Sequence, residues 1–201
     1  MEYRTIRFTA IGDELLAGHG DPRALGWYGR VLARTTSNDV RIESYSLAAP
    51  GEGSEALSTR WLDEASRRFG EHVDNRLVVA LSDRDLDLNV STARSRLNLA
   101  NILDMASQMS IKALVVGPAP GLDPVRNARL AELSNVFGDV ATRRNHHYVD
   151  TFTPLQNHAQ WLSDLNANGG LPGQAGYGLM AWLVLHRGWY SWLGLPEPSA
   201  S

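Results

Sequence analysis

Ile11-Gly12-Asp13-Glu14-Leu15 closes an apolar run containing Ile6, Phe8, Ala10 and Ile11, and opens the glycine-bearing loop Ala17-Gly18-His19-Gly20-Asp21-Pro22. The run predicts a first strand over residues 4–12 that delivers Asp13 and Glu14 to a loop at its carboxyl end.

Working outward, strand-like and helix-like segments alternate. Residues 26–36 read as a helix with Trp27, Val31 and Leu32 on one face, and residues 40–47 alternate as a second strand. Ser54 is expected to cap a helix that carries Leu57, Trp61 and Leu62 and runs to about Phe69. Leu77-Val78-Val79-Ala80-Leu81 is apolar throughout, as a strand covered on both faces should be. A long amphipathic helix over 92–109 follows, then a strand from Ile111 to Val116 stopped by Gly117-Pro118. Residues 124–143 read as helical and Tyr148-Val149-Asp150 as a short last strand. The final helix is expected to start near Pro172, with that proline in its first turn, and to end at Arg187-Gly188. Five strands separated by helices predict a parallel sheet with helices on both faces. Ligands of such sheets bind at the carboxyl ends of the strands, so the loops from Gly12, Leu47, Ser82, Gly117 and Asp150 matter most.

The chain has 201 residues, 43% hydrophobic and 20% charged, with 19 basic and 22 acidic residues and a net charge of -3. That is the composition of a globular protein with one full core and no basic footprint for nucleic acid. The absence of cysteine excludes disulfides, thiol catalysis and zinc–thiolate sites. The apolar run Leu179–Leu185 is too short to cross a bilayer, and Met1-Glu2-Tyr3-Arg4 leads into a strand pattern without a signal-peptide core. The expectation is one domain over 1–195, an unstructured tail over 196–201, and a cytoplasmic location.

Gly12-Asp13-Glu14-Leu15 resembles the first sequence block of the SGNH, or GDSL, hydrolases, in which the residue after the aspartate is the nucleophilic serine. Ala49-Pro50-Gly51-Glu52-Gly53 is similar to the second block, with Gly51 in the place of the oxyanion-hole glycine. Ser82-Asp83-Arg84-Asp85 stands for the third, a Gly-x-Asn-Asp element, and its register rests mainly on Asp85. Asn168-Gly169-Gly170-Leu171-Pro172, followed by Gly176-Tyr177, is similar to the last block, where the family carries Asp and His. The resemblance implies a three-layer α/β/α, flavodoxin-like fold. It also implies a dismantled esterase site: Glu14 for the serine, Arg84 for the oxyanion asparagine, Asn168 for the aspartate and Leu171 for the histidine, with Gly51 retained.

Acyl transfer needs a nucleophile activated by a base and an acid for the leaving group, and Leu171 has no nitrogen to serve as either. Two of the substitutions look coupled. If the fold holds, Glu14 and Arg84 face each other in the former oxyanion pocket, where a guanidinium and a carboxylate form a planar, charge-assisted pair. The other reading sends Arg84 to solvent. If the pair is partly buried, Glu14→Ala should cost roughly 3–5 kcal/mol.

Of six histidines, His19 and His158 lie in loops on the crevice side and are the candidates for a substitute base. His146 and His147 lie at the other end of the sheet, and His72 and His186 at helix ends. Asp83, Asp85, Asp87 and Asn89 alternate like a calcium loop, but Leu88 and Arg94 occupy the positions that need glycine and glutamate. A weak cation site from Asp13, Glu14, Asp85 and His19 is opposed by Arg84. Ser46, Ser54 and Ser82 have structural readings that outweigh a nucleophilic one. Trp182 reads as core, and Trp189 and Trp192 as packing against the body.

The expected pocket is Asp13, Glu14, Gly51, Arg84, Asp85, Asn168 and Leu171, with His19 and His158 at its edge, and no metal or cofactor. The first expectation is a pseudoenzyme that binds an ester- or acyl-like small molecule or a protein partner. The second is a divergent ester or acyl hydrolase using Glu14 as base toward water, helped by His19 or His158. Arg84 opposes the second, because a nearby cation stabilises an ionised carboxylate.

Overall fold

Nine residues, Arg4–Gly12, form β1, the second strand of a five-stranded, all-parallel sheet ordered β2-β1-β3-β4-β5. The computed structural model describes residues 4–37 and 39–197. The other strands are β2 (Val40–Ala48), β3 (Asp74–Ala80), β4 (Lys112–Val116) and β5 (His147–Val149). The chain is the doubly wound α/β protein that its alternating pattern predicts, with the flavodoxin-like strand order.

The period of two along the strands divides the core. Phe8 and Ala10 of β1, Val78 and Ala80 of β3, and Leu114 and Val116 of β4 face one side. They pack against α2 (Gly26–Arg34), α8 (Ala159–Ala167) and α9 (Gln174–Val184), through Trp27, Trp161 and Tyr177 among others. Ile11, Leu77, Val79, Ala113 and Val115 face the other side. There they meet α3 (Ser54–Ser66), α5 (Thr92–Gln108) and α6 (Pro124–Arg143), through Trp61, Leu103 and Phe137. Among the described residues no helix is long and apolar enough to cross a membrane.

Several expectations need correction. Ser54 does not cap α3. Gly53 is the cap residue, and Ser54 is the first helical residue. Its amide and hydroxyl both donate to Asp85, at 2.7 and 2.6 Å, so a carboxylate 31 residues away caps the helix. Pro172 precedes α9 and is not in its first turn. The cap is Gly173, whose amide and that of Gly176 donate to one oxygen of Asp164 at 2.6 and 2.9 Å. Helix α9 ends at Val184, and the chain then bends through Arg187 and Gly188 (φ 109°) into α10 (Tyr190–Leu193). Trp182 is not core: it is 51% exposed and stacks on the His186 ring at 4.4 Å. Trp189 and Trp192 are buried against Phe8, with centroids 5.4 and 5.7 Å from its ring. Of the tail expected over 196–201, residues 198–201 lie outside the described residues.

Four short helices follow strand or loop ends without a readable period: α1 (Glu14–Ala17), α4 (Arg84–Asp87), α7 (Phe152–Leu155) and α10. The first three follow the carboxyl ends of β1, β3 and β5, where the sheet presents its loops.

Candidate functional site

The strand order reverses at β1, with β2 on one side and β3 on the other, so the crevice of this sheet opens where β1 ends. Gly12 is required there. A Cβ at that position would lie 2.9 Å from the Ala80 side chain and 3.0 Å from its carbonyl. The bare backbone lets β1 and β3 end together and sets Asp13 and Glu14 beside the loop after β3.

Asp13 is buried and caps α1. Its Oδ1 accepts from the Leu15 amide at 3.0 Å, and its Oδ2 accepts from the Ser82 hydroxyl. Burial pushes the Asp13 carboxyl above its ordinary range, against the opposing pull of the Ser82 and Leu15 hydrogen bonds and the Arg84 charge. The same loop holds Asp21, whose pKa is drawn down to about 2, chiefly by the hydrogen bond from Arg30.

Glu14 turns the other way. Its Oε2 accepts from the Gly51 amide at 2.8 Å, and its Oε1 pairs with Nη2 of Arg84. Gly51, whose N–H meets the carboxylate, adopts φ +83°, a conformation that L side chains rarely take. The Glu14 side chain is 7% exposed and that of Arg84 34%. The pair does not end there. Arg84 Nη1 donates to Asp87 at 2.7 Å, Asp87 also pairs with Arg126 at 2.7 Å, and Arg126 returns to Asp83 at 2.7 Å. The Arg126 hydrogen bond does most to hold the Asp87 carboxyl below its usual range, with Arg84 adding to it.

Glu14 and Arg84 line a cleft of ≈ 140 Å³ together with Leu171 and apolar walls from Leu15, Ala119, Trp161 and Leu165. Among the described residues that line it, none carries a hydroxyl or an imidazole. Leu171 contributes hydrocarbon to its lining. Asn168 holds loops together: its Nδ2 donates to the carbonyls of Gly20 and Leu171 at 3.0 and 3.1 Å.

The remaining sequence candidates are placed elsewhere. Asp85 is buried under α3 on Ser54, and Asn98 donates to that same serine at 3.0 Å. Asp13, Asp85 and His19 do not converge with Glu14 on a cation. Among the described residues, no group of three or more His, Asp or Glu side chains could hold a metal ion. His19 is exposed and enters the packing by its carbonyl, which accepts from Tyr177 at 2.7 Å. His158 caps α8, its Nδ1 accepting from the Trp161 amide at 3.4 Å. Neither imidazole lines the cleft.

The sequence reading missed Asp83, Asp87 and Arg126 as members of the charged chain, and Trp161 as a wall. Arg126 had a signal: it sits in the first turn of the helix that follows the β4 loop, on the crevice side.

A family model described as GDSL-like Lipase/Acylhydrolase family matches residues 10–179. Among solved structures, a lipase/acylhydrolase from Enterococcus faecalis is similar at 23% identity and a TM-score of 0.71, covering 98% of this chain and 100% of that one. An acetylxylan esterase from Geobacillus stearothermophilus is similar at 15% identity and a TM-score of 0.73, covering 97% of each chain. The psychrotrophic esterase EstA from Pseudoalteromonas sp. is similar at 17% identity and a TM-score of 0.70, covering 94% of this chain and 98% of that one. At these identities the likeness concerns the fold. None of the curated proteins matches the sequence.

Proposed function

Since the chain belongs to the GDSL-like lipase/acylhydrolase family, we propose that it keeps the crevice of that family as a binding site and hydrolyses esters little or not at all. The observation that carries this reading is the Glu14 carboxylate, held by the Gly51 amide at 2.8 Å and by Arg84. A backbone N–H can stabilise an oxyanion only if the substrate oxygen can reach it. Here a resident carboxylate takes that donor, and any ester carbonyl has to compete with an internal anion. The residues that would activate a nucleophile and protonate a leaving group are a carboxylamide, Asn168, and a hydrocarbon, Leu171.

The cleft supports a ligand class. Leu15, Ala119, Trp161, Leu165 and Leu171 beside the charged Glu14, Asp83 and Arg84 suit a small molecule with an apolar part and a polar group, such as an acyl- or ester-like compound. A protein partner presenting such a group is the second member of the class. Hydrolysis assisted by His19 or His158 gains no support, because neither ring lines the cleft and His158 Nδ1 is taken by the Trp161 amide. Short p-nitrophenyl esters and a serine-directed fluorophosphonate test the proposal directly. No turnover above buffer and no covalent label are expected. Turnover that Glu14→Gln abolishes would overturn it.

A further inference from the structure

Glu14 is bound the way a separate ligand would be. Two donors from two different loops, the amide of Gly51 after β2 and the guanidinium of Arg84 after β3, each take one oxygen of the same carboxylate. We propose that these donors form a carboxylate-binding site whose resident ligand is the side chain of Glu14, and that the site takes short aliphatic carboxylates once that side chain is removed. The proposal rests on the reading above, that Glu14 occupies the site and does not act as a base.

Each donor has a second support besides Glu14. The turn that presents Gly51 is closed by its own backbone, with the Glu52 amide donating to the Ala49 carbonyl at 3.4 Å, and Gly51 is fixed at φ +83°. Arg84 keeps its bond to Asp87, and Asp87 keeps Arg126, each at 2.7 Å. Preorganised donors bind an anion without reorganisation, which is the condition for a vacated site to stay competent.

Net charge does not select the ligand: with Glu14 trimmed, Arg84 and Arg126 face Asp83 and Asp87, two cations against two anions, so recognition rests on the Gly51 amide and the Arg84 Nη2 that Glu14 leaves free. Asp13 and Asp85 lie nearby, but their oxygens are occupied by Ser82 and the Leu15 amide, and by Ser54. The walls of Leu15, Trp161 and Leu171 accept the alkyl end, in a cleft of ≈ 140 Å³ that grows by the volume of the lost side chain. A carboxylate with a short apolar tail, acetate or propionate, has the required shape.

The test is thermal melting of Glu14→Ala at neutral pH in sodium acetate and in sodium chloride of equal ionic strength. Acetate should raise its Tm saturably, by roughly 3–5 °C at ten times the half-saturating concentration, and chloride should not. The unaltered protein, Glu14→Gln, whose carboxamide still fills the space, and Glu14→Ala/Arg84→Met should show no difference between the two salts. Equal responses of Glu14→Ala to acetate and chloride would overturn the site. Should Glu14→Ala fail to fold, Glu14→Ser gives the same titration, and refolding yield in acetate against chloride is then read with the same two outcomes. Failure here leaves the ester assay untouched, and turnover in that assay leaves the acetate titration to be judged separately.

Discussion

The sheet carries a guanidinium at each end, and the two are used differently. At the amino end of the strands Arg76 is 2% exposed and fully committed. Its Nε and Nη2 make a fork on Asp74 at 2.6 and 2.8 Å, its Nη1 holds the Trp192 carbonyl, and its head lies 5.6 Å from the Trp192 ring. Arg4 closes the clamp on Asp74 and on the Leu193 carbonyl. At the carboxyl end Arg84 is one-third exposed, lines a cleft and leaves its Nε without a partner although that atom is buried. One arginine locks the C-terminal segment onto β3. The other holds an anion in a cavity and has bonding capacity left over. The difference lies in the two guanidinium groups and not in their surroundings, since Trp192 Nε1 beside Arg76 is also buried without a partner.

The largest effect is expected at the satisfied end. Arg76→Met leaves Asp74 half its partners and the Trp192 carbonyl none, and should cost roughly 3 kcal/mol in urea unfolding. A cost below about 1 kcal/mol would remove the distinction between the two ends, because such a loss is typical of an exposed pair.

Next comes the crevice pair, where exposure makes the two truncations unequal. Arg84→Ala strands a buried carboxylate with only the Gly51 amide and should cost roughly 2–3 kcal/mol. Glu14→Ala strands a cation that still has Asp87 and open solvent, so it should cost only about 1–2 kcal/mol. This corrects the roughly 3–5 kcal/mol that the sequence suggests for a partly buried pair, because the stranded Arg84 is one-third exposed. The double variant should recover a coupling of about 1 kcal/mol or more. Additive losses, or a larger loss for Glu14→Ala than for Arg84→Ala, would show that the pair does not behave as a resident anion in a preformed site.

How much of this was legible follows from where the information sits. The sequence pattern delimits strand β1 and helix α6 to the residue, over 4–12 and 124–143, because each is long and has a clear pattern and α6 has Pro124 at its start. Glu14, Gly51, Arg84 and Leu171 could be nominated because their loops resemble sequence blocks of a family. The chain from Arg84 through Asp87 and Arg126 to Asp83 could not, because it is closed by tertiary contacts between a four-residue helix and α6. Ser54 looked like a cap until Asp85 supplied the capping oxygens from a distant loop. Trp182 looked buried because it lies in Leu179-Met180-Ala181-Trp182-Leu183-Val184-Leu185, where every face is apolar and no period distinguishes inside from outside.

The smallest effect separates two carboxylates within the crevice loop itself. Arg30 holds Asp21 at about 2, below the roughly 3.9 of an unfolded aspartate. The stability it contributes is present above the unfolded value and is lost as pH falls through about 2. Asp13 runs the other way. Burial raises it, so the folded chain holds that proton more tightly than the unfolded chain does. Its contribution is full below the unfolded value and declines as pH rises through the folded one. Asp21→Asn should therefore flatten the acid limb of a stability–pH curve between about pH 4 and 2, while Asp13→Asn should steepen the rise just above pH 4. The second change isolates the site: Asp13 lies between the frame and Glu14, and burial is the main cause that raises its carboxyl, with the Asp83 charge adding a little. If Asp13→Asn leaves that part of the curve unchanged, the carboxyl is as well solvated as in the unfolded chain, and the crevice is wetter at its floor than its geometry implies.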